Sequence, residues 1–388
     1  LANMEHRPPM TLPTDGSYGL PAAFGIHRRL ANYALVAYDV TAANGNEERA
    51  KMFKLRRPSD LVLHNYETAN NGDLVPTFAV VLDHELEAVV IVVRGTFDIE
   101  DVLTDMMGRS IKIDQEGELT GYAHEGIYEG AKAMLKVAQK AVEAALNRYP
   151  DYELAITGHS LGGGSTVMMT LLLTHNLASY LPQCRTDTRI RGVALAPPPV
   201  FNSTAEMAIA DNIDIYINRR DMVPRVGVAN LGRLFRALQQ IDDLAETGQL
   251  PRLDRFLILT GDGAMTLGLP KILRIVDEAS EFNITDMMNR FGLDQPAVQK
   301  QLGQDTWEMK HYGRIHHFVD HIDENGVETQ VISNHRQSSD FDADIFVGLQ
   351  MMNNHMAYNY ATAFKVAFDN APPAAPAAPE APQEEEEA

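Results

Sequence analysis

A serine between glycines constrains the fold of this chain more than any other feature. Residues 153–157, "ELAIT", form a short apolar run typical of a buried strand, and residues 165–173, "STVMMTLLL", favour a helix that begins near Leu161. Between them stands "GHSLG" at 158–162, a match to G-x-S-x-G. An ordinary glycine-rich turn is the alternative for these five residues alone. With a strand before and a helix after, the pattern predicts a nucleophile elbow that presents Ser160 at the carboxyl end of a sheet strand.

The sequence around the elbow alternates between predicted strands and helices. Residues 126–149 carry an apolar stripe at helical spacing and lead into the strand before the elbow. Short apolar runs at 88–93, 190–196 and 213–217 read as further strands, and 88–93 forms a predicted hairpin with the run before it. This alternation predicts an α/β protein with a mainly parallel central sheet and helices on both faces.

Composition divides the chain into one large domain and two irregular ends. Residues 1–22 are rich in proline and glycine, and residues 371–388 are a Pro/Ala run followed by glutamates, which predicts a disordered tail. Residues 23–370 form the predicted catalytic domain. Within it, 227–310 differs in texture, because charged helices with apolar stripes dominate there, and we interpret it as a helical insertion.

The charge balance and the single cysteine exclude several classes of protein. The formal net charge is -20, from 33 basic and 53 acidic residues, which argues against a nucleic-acid partner. One cysteine, Cys184, allows no intrachain disulfide, and we expect neither a metal site nor a cofactor. No run of 18 apolar residues and no signal peptide is visible, which favours a cytoplasmic or membrane-peripheral location.

A serine nucleophile needs a carboxylate and a histidine, which follow it in the order Ser, Asp, His in α/β-hydrolase topology. Asp221 comes just after the strand at 213–217 and before Pro224, so it is the predicted acid. Its alternative role is an ion pair with one of the arginines at 219, 220 and 225. Asp211 and Asp214 lie before or within the strand and belong at its opposite end.

Six later histidines qualify by order as the base. His355 follows the last predicted strand and precedes a helix-like run, so it is the predicted base, with His335 as the reserve. The others lie in or beside predicted strands or earlier in the chain: His311, His316, His317 and His321.

The tetrahedral intermediate of acyl transfer needs an oxyanion hole. One N–H is expected from Leu161, the residue after the nucleophile, and one from Thr96, at the turn after the strand at 88–93. The Thr96 hydroxyl could add a bond, steadied by Asp105. A plain strand-end turn is the alternative at this position.

Together these stretches resemble the class 3 lipase family, and within it the sn-1-specific diacylglycerol lipases. The resemblance rests on "RGT" at 94–96 with an aspartate nine residues later, "GHSLGG" at 158–163, Asp221 in "RRDMVPR", His355, and the late "VISNH". It implies an α/β-hydrolase core, a glycerolipid substrate, cleavage without a cofactor, and transient contact with a membrane or lipid-droplet surface. It also implies that the insertion gates the site as a lid, whereas a fixed helical appendage is the alternative.

Two other functions remain open at this point. Phospholipase A1 or galactolipase activity would use the same acyl pocket, so only contacts to the head group would distinguish them. A lipase-like module that binds lipid or protein without catalysis is the third hypothesis, and a complete Ser/Asp/His set argues against it.

Overall fold

One eight-stranded sheet organises the described part of the chain. The computed structural model describes residues 18–66, 75–96, 109–203, 210–226, 308–322, 328–336, 338, 341 and 353–369. The strands of the large sheet are β1 (Leu61–His64), β2 (Phe78–Asp83), β3 (Ala88–Val93), β6 (Glu153–His159), β7 (Ile190–Leu195), β9 (Ala210–Asn218), β10 (Gly313–Ile322) and β11 (Glu328–Arg336). A second sheet contains β4 (Ser110–Glu116), β5 (Leu119–His124) and β8 (Phe201–Ser203).

The middle of the large sheet is parallel and its edges are antiparallel. The strands lie in the order β1-β2-β3-β6-β7-β9-β10-β11. The neighbours β3, β6, β7, β9 and β10 pair in parallel, whereas β1, β2 and β11 pair antiparallel. The continuous apolar sequence of β3 suits a strand covered on both faces, and every residue of it is buried. The carboxyl ends of the parallel strands therefore meet at one end of the sheet, where loops can assemble a site.

Helices cover both faces of this sheet. The described helices are α1 (Phe24–Val40), α2 (Asn46–Met52), α3 (Glu125–Arg148), α4 (Leu161–Tyr180) and α5 (Ala357–Asp369). The apolar stripe of α3 and the continuously buried residues 162–173 of α4 cover one face of the sheet, and the apolar stripes of α1 and α5 cover the opposite face. The predicted α/β-hydrolase fold, with a mainly parallel sheet between helical layers, is confirmed.

The side chains of β9 divide between these two faces. Ile213, Ile215 and Ile217 join the cluster that contains α3 and α4. Because side chains alternate along a strand, Asp214 and Tyr216 face the layer of α1 and α5 instead. This alternation brings polar groups of β9 toward the helix that follows His355.

The sequence patterns predict the elements around the elbow, but they do not predict the small sheet. The predicted strand and helix on either side of the elbow and the predicted hairpin of β2 and β3 are present. The β4–β5 hairpin carries charged residues such as Lys112 and Asp114 where a predicted strand would show an apolar run, so periodicity gives little sign of it.

Several predicted features lie outside the described residues. They are residues 1–17 of the lead-in, Asp105, residues 227–307 of the insertion, and the tail at 371–388. None of the helices in the described ranges has both the length and the apolar character that a membrane span requires.

Candidate active site

Ser160 stands at a sharp turn between β6 and α4. Its backbone has φ 61° and ψ -128°, a left-handed conformation that a residue with a Cβ seldom adopts. The Ser160 N–H donates to the carbonyl of Leu195 at 2.9 Å, which ties the turn to the neighbouring strand β7. The turn therefore holds the serine at the carboxyl end of β6 and at the N-terminus of α4, as an elbow requires.

Glycines on both sides of Ser160 allow this turn to form. A Cβ on Gly158 would lie 2.3 Å from the carbonyl oxygen of Gly162, and a Cβ on Gly162 would lie 2.5 Å from that of Val93. Both distances are far below any van der Waals contact. The two glycines thus let strand β6, helix α4 and the end of β3 approach one another around the serine.

Ser160, His355 and Asp221 form one hydrogen-bonded chain. The Ser160 Oγ lies 2.9 Å from Nε2 of His355, and Nδ1 of His355 lies 3.0 and 3.1 Å from the two carboxylate oxygens of Asp221. Since a carboxylate accepts, Nδ1 carries the proton and Nε2 offers its lone pair to the serine hydroxyl. All three side chains are buried. The arrangement can take a proton from Ser160 and keep the resulting positive charge beside Asp221.

The carboxylate of Asp221 is fixed by two further donors. The backbone N–H of Val223 donates to Oδ1 at 2.9 Å, and the hydroxyl of Tyr360 donates to Oδ2 at 2.7 Å. Two arginines considered as ion-pair partners have other contacts: Arg219 donates to Asp320, and Arg225 lies over the ring of Phe341. Both carboxylate oxygens are thus occupied by donors of this local cluster.

The segment that carries His355 is attached to the sheet through its backbone. The carbonyl of His355 accepts from Nε2 of His159 at 2.8 Å, and the carbonyl of Asn354 accepts from the Asn218 side chain at 3.0 Å. The rings of His159 and His355 stack with centroids 4.8 Å apart. Burial, and then the neighbouring His355 ring, hold the pKa of His159 well below its usual range. His159 is therefore a neutral donor that fixes the loop of the predicted base.

The turn after β3 also lies beside Ser160, and Tyr38 of helix α1 connects it to His159. The hydroxyl of Tyr38 lies 2.8 Å from Nδ1 of His159 and also takes a backbone hydrogen bond from Gly95. A Cβ on Gly95 would lie 3.2 Å from that of Ser160, so this turn passes directly beside the elbow. Thr96, the next residue, is partly buried. The turn that leads to Thr96 and the elbow that leads to Leu161 thus meet at Ser160. Asp105 lies outside the described residues.

Other candidate histidines are placed away from the serine. Nε2 of His311 donates to the carbonyl of Pro224 at 2.8 Å, and Nε2 of His317 donates to the carbonyl of Arg219 at 2.6 Å. The backbones of His321 and His335 belong to the antiparallel pair β10–β11. Among the candidate bases whose side chains the structure describes, His355 is the one that contacts Ser160.

A second group of side chains could in principle hold a metal ion. His27, Asp214 and His316 are buried, and their ligand atoms lie within 4.8 Å of one another. Asp214 already accepts two bonds from Arg314, at 3.0 and 2.8 Å, and one from His316 at 2.7 Å. Burial alone would raise the pKa of Asp214, but the bonds from His316 and Arg314 outweigh it and lower the pKa to about 2. We interpret the group as an ion cluster that joins α1 to β9 and β10.

Two residues of the site have no role in the sequence-based prediction. Tyr360 reads as one apolar position of a helix, and Asn218 as the last residue of a strand. Their contacts join segments more than 130 residues apart, so no local pattern reveals them. The one hint in the sequence is proximity along the chain, because Asn218 lies shortly before Asp221 and Tyr360 shortly after His355.

Comparison with known proteins identifies relatives of part of the chain. Residues 90–231 match the family described as Lipase (class 3). Diacylglycerol lipase-beta of Mus musculus is 33% identical over 168 residues, 42% of this chain and 24% of that protein. Diacylglycerol lipase-alpha of Homo sapiens is 29% identical over 185 residues, 45% of this chain and 17% of that protein. The matched region spans about a quarter or less of these relatives, and the resemblance predicted from the motifs is confirmed.

Solved structures of lipases are similar as well. A triacylglycerol lipase from Penicillium expansum matches at 17% identity and a TM-score of 0.43, over 88% of this chain and 99% of that chain. A triacylglycerol lipase whose catalytic centre is described as a serine protease triad matches at 14% identity and a TM-score of 0.47, over 87% and 94% of the two chains.

Proposed function

We propose, from the match of residues 90–231 to the class 3 lipase family, that this chain hydrolyses acyl esters of glycerolipids through an acyl-enzyme on Ser160. The observation that carries the proposal is the position of His355, which bridges the Ser160 hydroxyl and the Asp221 carboxylate at 2.9 and 3.0 Å. A serine hydroxyl is a weak nucleophile at neutral pH, and this contact supplies the base that it needs.

In the proposed reaction, Ser160 attacks the ester carbonyl while His355 accepts the hydroxyl proton at Nε2. Asp221 stabilises the imidazolium that forms and keeps the proton on Nδ1. His355 then gives its proton to the leaving glyceride oxygen, which leaves the fatty acyl group on Ser160. In the second half, His355 activates a water that attacks the acyl-enzyme, and the fatty acid departs.

The oxyanion of the intermediate is proposed to bind the backbone N–H groups of Thr96 and Leu161. Leu161 begins α4, where the first N–H groups have no partner within the helix and the helix dipole favours negative charge. The close approach of Gly95 to Ser160, 3.2 Å between Cβ positions, supports Thr96 as the source of the second N–H. Preorganised donors of this kind contribute strongly because they need no rearrangement during the reaction.

Diacylglycerol or triacylglycerol is the proposed substrate class, supported by the similarity to diacylglycerol lipases. Long-chain glycerides are held in lipid phases and not in water. The proposal therefore includes transient contact with a membrane or lipid-droplet surface. Every catalytic group in this proposal is a side chain or backbone group of this chain, and water is the second substrate.

A fluorophosphonate probe tests the chemistry, since it labels only a serine with an active base. We expect labelling of the native chain and none of Ser160→Ala or His355→Ala. A panel of di- and triacylglycerols, phospholipids and galactolipids then assigns the substrate. Faster turnover of phospholipids or galactolipids would replace the proposed substrate class, and absence of labelling at Ser160 would contradict the serine mechanism and favour a binding module.

A further inference from the structure

Tyr360 is a wholly buried residue of α5 whose hydroxyl lies between the sheet and the predicted acid. Its O–H donates to Oδ2 of Asp221 at 2.7 Å, and its oxygen accepts from the backbone N–H of Asn218 at 2.9 Å. A phenol has one proton to donate. Because the Asn218 N–H can only donate, the geometry directs the single Tyr360 proton to the carboxylate.

Each carboxylate oxygen of Asp221 has the same two kinds of contact, one outer donor and the Nδ1 of His355. Oδ1 accepts from Val223 N–H at 2.9 Å and faces His355 Nδ1 at 3.0 Å. Oδ2 accepts from Tyr360 at 2.7 Å and faces the same Nδ1 at 3.1 Å. The two outer donors prevent the carboxylate from rotating about its Cβ–Cγ bond, and both oxygens stay turned toward the imidazole.

The Tyr360 bond also changes how strongly Asp221 acts on the imidazole. A hydrogen bond to a carboxylate is strengthened by the charge, and it draws part of that charge toward the donor. Burial, and then the charge of Asp221, raise the pKa of Tyr360 well above its ordinary value, so the phenol stays a donor at all working pH values. Less negative charge is then left to hold a proton on His355.

The ring of Tyr360 is itself held in place. It packs edge-on against His159 with centroids 5.4 Å apart, and His159 stacks on the imidazole of His355. The phenol thus cannot leave Asp221 without disturbing the ring that supports the predicted base.

We propose that Tyr360 is a positioning residue of the Ser160–His355–Asp221 chain, which fixes the Asp221 carboxylate and lowers the proton affinity of His355. This inference deepens the proposed function and rests on it. It assigns Tyr360 a role that a tyrosine packed only for its apolar ring would not have.

The first test replaces the hydroxyl and keeps the ring. In Tyr360→Phe we expect kcat to fall on the order of tenfold with KM unchanged within about twofold, because the defect lies in proton transfer and not in lipid binding. The acid limb of the kcat/KM profile moves to higher pH by about half a unit or more, since the carboxylate regains charge. Active-site titration with the fluorophosphonate probe corrects for molecules that fail to fold.

Tyr216→Phe is the matched control. Tyr216 is equally buried and lies on the same face of the sheet, but its hydroxyl contacts His27 at 2.8 Å. We expect its kcat, KM and pH profile to equal those of the native chain. A shift of the same size in both variants would overturn the proposal, because it would show a general effect of losing a buried hydroxyl.

A further test changes the strength of the Tyr360 hydroxyl as a donor without removing it, so a variant that fails to fold does not confuse the result. Site-specific 3-fluorotyrosine at position 360 keeps the size of the ring and makes the hydroxyl a stronger donor, so the acid limb should move to lower pH. The proposal fails if this substitution and Tyr360→Phe move the limb in the same direction, or if neither moves it.

A readout without turnover separates this proposal from the proposed function. The low-field proton resonance of the His355 Nδ1–H reports its bond to Asp221 in the resting protein. We expect its chemical shift, and the pH at which it titrates, to change in Tyr360→Phe and not in Tyr216→Phe. A changed resonance in a chain that cleaves no glycerolipid would sink the proposed substrate while leaving the role of Tyr360 intact; an unchanged resonance would sink the role itself.

Discussion

Two buried histidine–aspartate clusters lie along β9, and they differ in what holds the aspartate. Asp214, within the strand, takes two bonds from the Arg314 guanidinium and one from His316. Asp221, three residues beyond the end of the strand, takes its bonds from an imidazole, a phenol and a backbone N–H. The carboxylate of the first cluster is bound by the guanidinium of Arg314, which carries a full positive charge, whereas the outer donors of the second, a phenol and a backbone N–H, are neutral.

The histidines of the two clusters differ in the same sense. Nδ1 of His316 lies 2.7 Å from the side-chain oxygen of Asn334, and its Nε2 lies 2.7 Å from Asp214. His355 also faces an aspartate with one nitrogen, but its other nitrogen faces the hydroxyl of Ser160. The two contacts therefore differ in whether the second ring nitrogen faces an amide oxygen, which has no proton to give, or a hydroxyl, which has one.

The largest expected effect lies at the serine and its base. Ser160→Ala and His355→Ala should each lower kcat on the order of 10⁴-fold or more, since attack and proton transfer act as a unit. His316→Asn should leave kcat per folded molecule within about twofold of native. Steady-state assays, normalised to the folded fraction from circular dichroism, measure this. Loss of turnover in His335→Ala together with an active His355→Ala would contradict the assignment of the base.

Removing the charge of each aspartate is the next sharpest contrast. Asp221→Asn should lower kcat by about 10⁴-fold with little change in stability, because the amide favours the wrong tautomer of His355. Asp214→Asn should instead lower the free energy of unfolding by about 3 kcal/mol, because it leaves His316 and Arg314 without their counter-charge. Urea unfolding and kinetics of both variants decide the matter. Equal kinetic losses would mean that the two clusters are not distinct in function.

Acid should act on the structural cluster through His27. Burial lowers the pKa of His27 from 6.5 to about 4, against the attraction of Asp214. Because the folded-state pKa lies below the unfolded one, the stability linked to the neutral ring is complete above pH 6.5 and is lost as the pH falls toward 4, by about 3 kcal/mol. His27→Gln should flatten the pH dependence of urea unfolding across this window. An equally steep dependence in that variant would place the sensitivity elsewhere, for example at His311, whose pKa is also lowered to about 4 by burial.

A smaller loss than at the triad is expected at the turn after β3. Thr96→Pro removes the proposed backbone donor and should lower kcat about 10²-fold with a smaller effect on KM. Thr96→Val keeps the N–H and removes only the hydroxyl, so it measures the side chain alone. Full activity in both variants would mean that the second oxyanion donor is not Thr96.

Local patterns predict the frame of the site better than its interior. The elbow, β3 and β9 follow from apolar runs and glycines, because strand burial and turn geometry depend on neighbouring residues. Asp221 is predicted from its place after the parallel strand β9, and His355 from chain order and its place before the run that forms α5. Tyr360 does not, since its partner lies 139 residues away and its position in α5 looks like an ordinary core position.

The contrast between Tyr358 and Tyr360 illustrates this limit. Both tyrosines stand in the same helix, two residues apart; helical spacing places Tyr360 on the apolar stripe with Phe364 and Ala367, but no local pattern reveals its polar partner. Tyr358 is 61% exposed and donates to Asn353, whereas Tyr360 is buried and reaches Asp221. The rotation of α5 against the sheet decides between them, and that rotation is set by tertiary packing of Phe364 and Ala367.

The hydrogen bond between Ser160 and His355 joins residues 195 positions apart, and this separation fixes when activity can arise during synthesis. At about 5 to 20 residues per second, the base is made roughly 10 to 40 s after the serine. The nascent chain therefore carries a complete elbow that has no base until α5 docks on the sheet. The proposed hydrolysis would begin only when α5 docks, so the onset of activity on the ribosome or during refolding should report the docking of this helix.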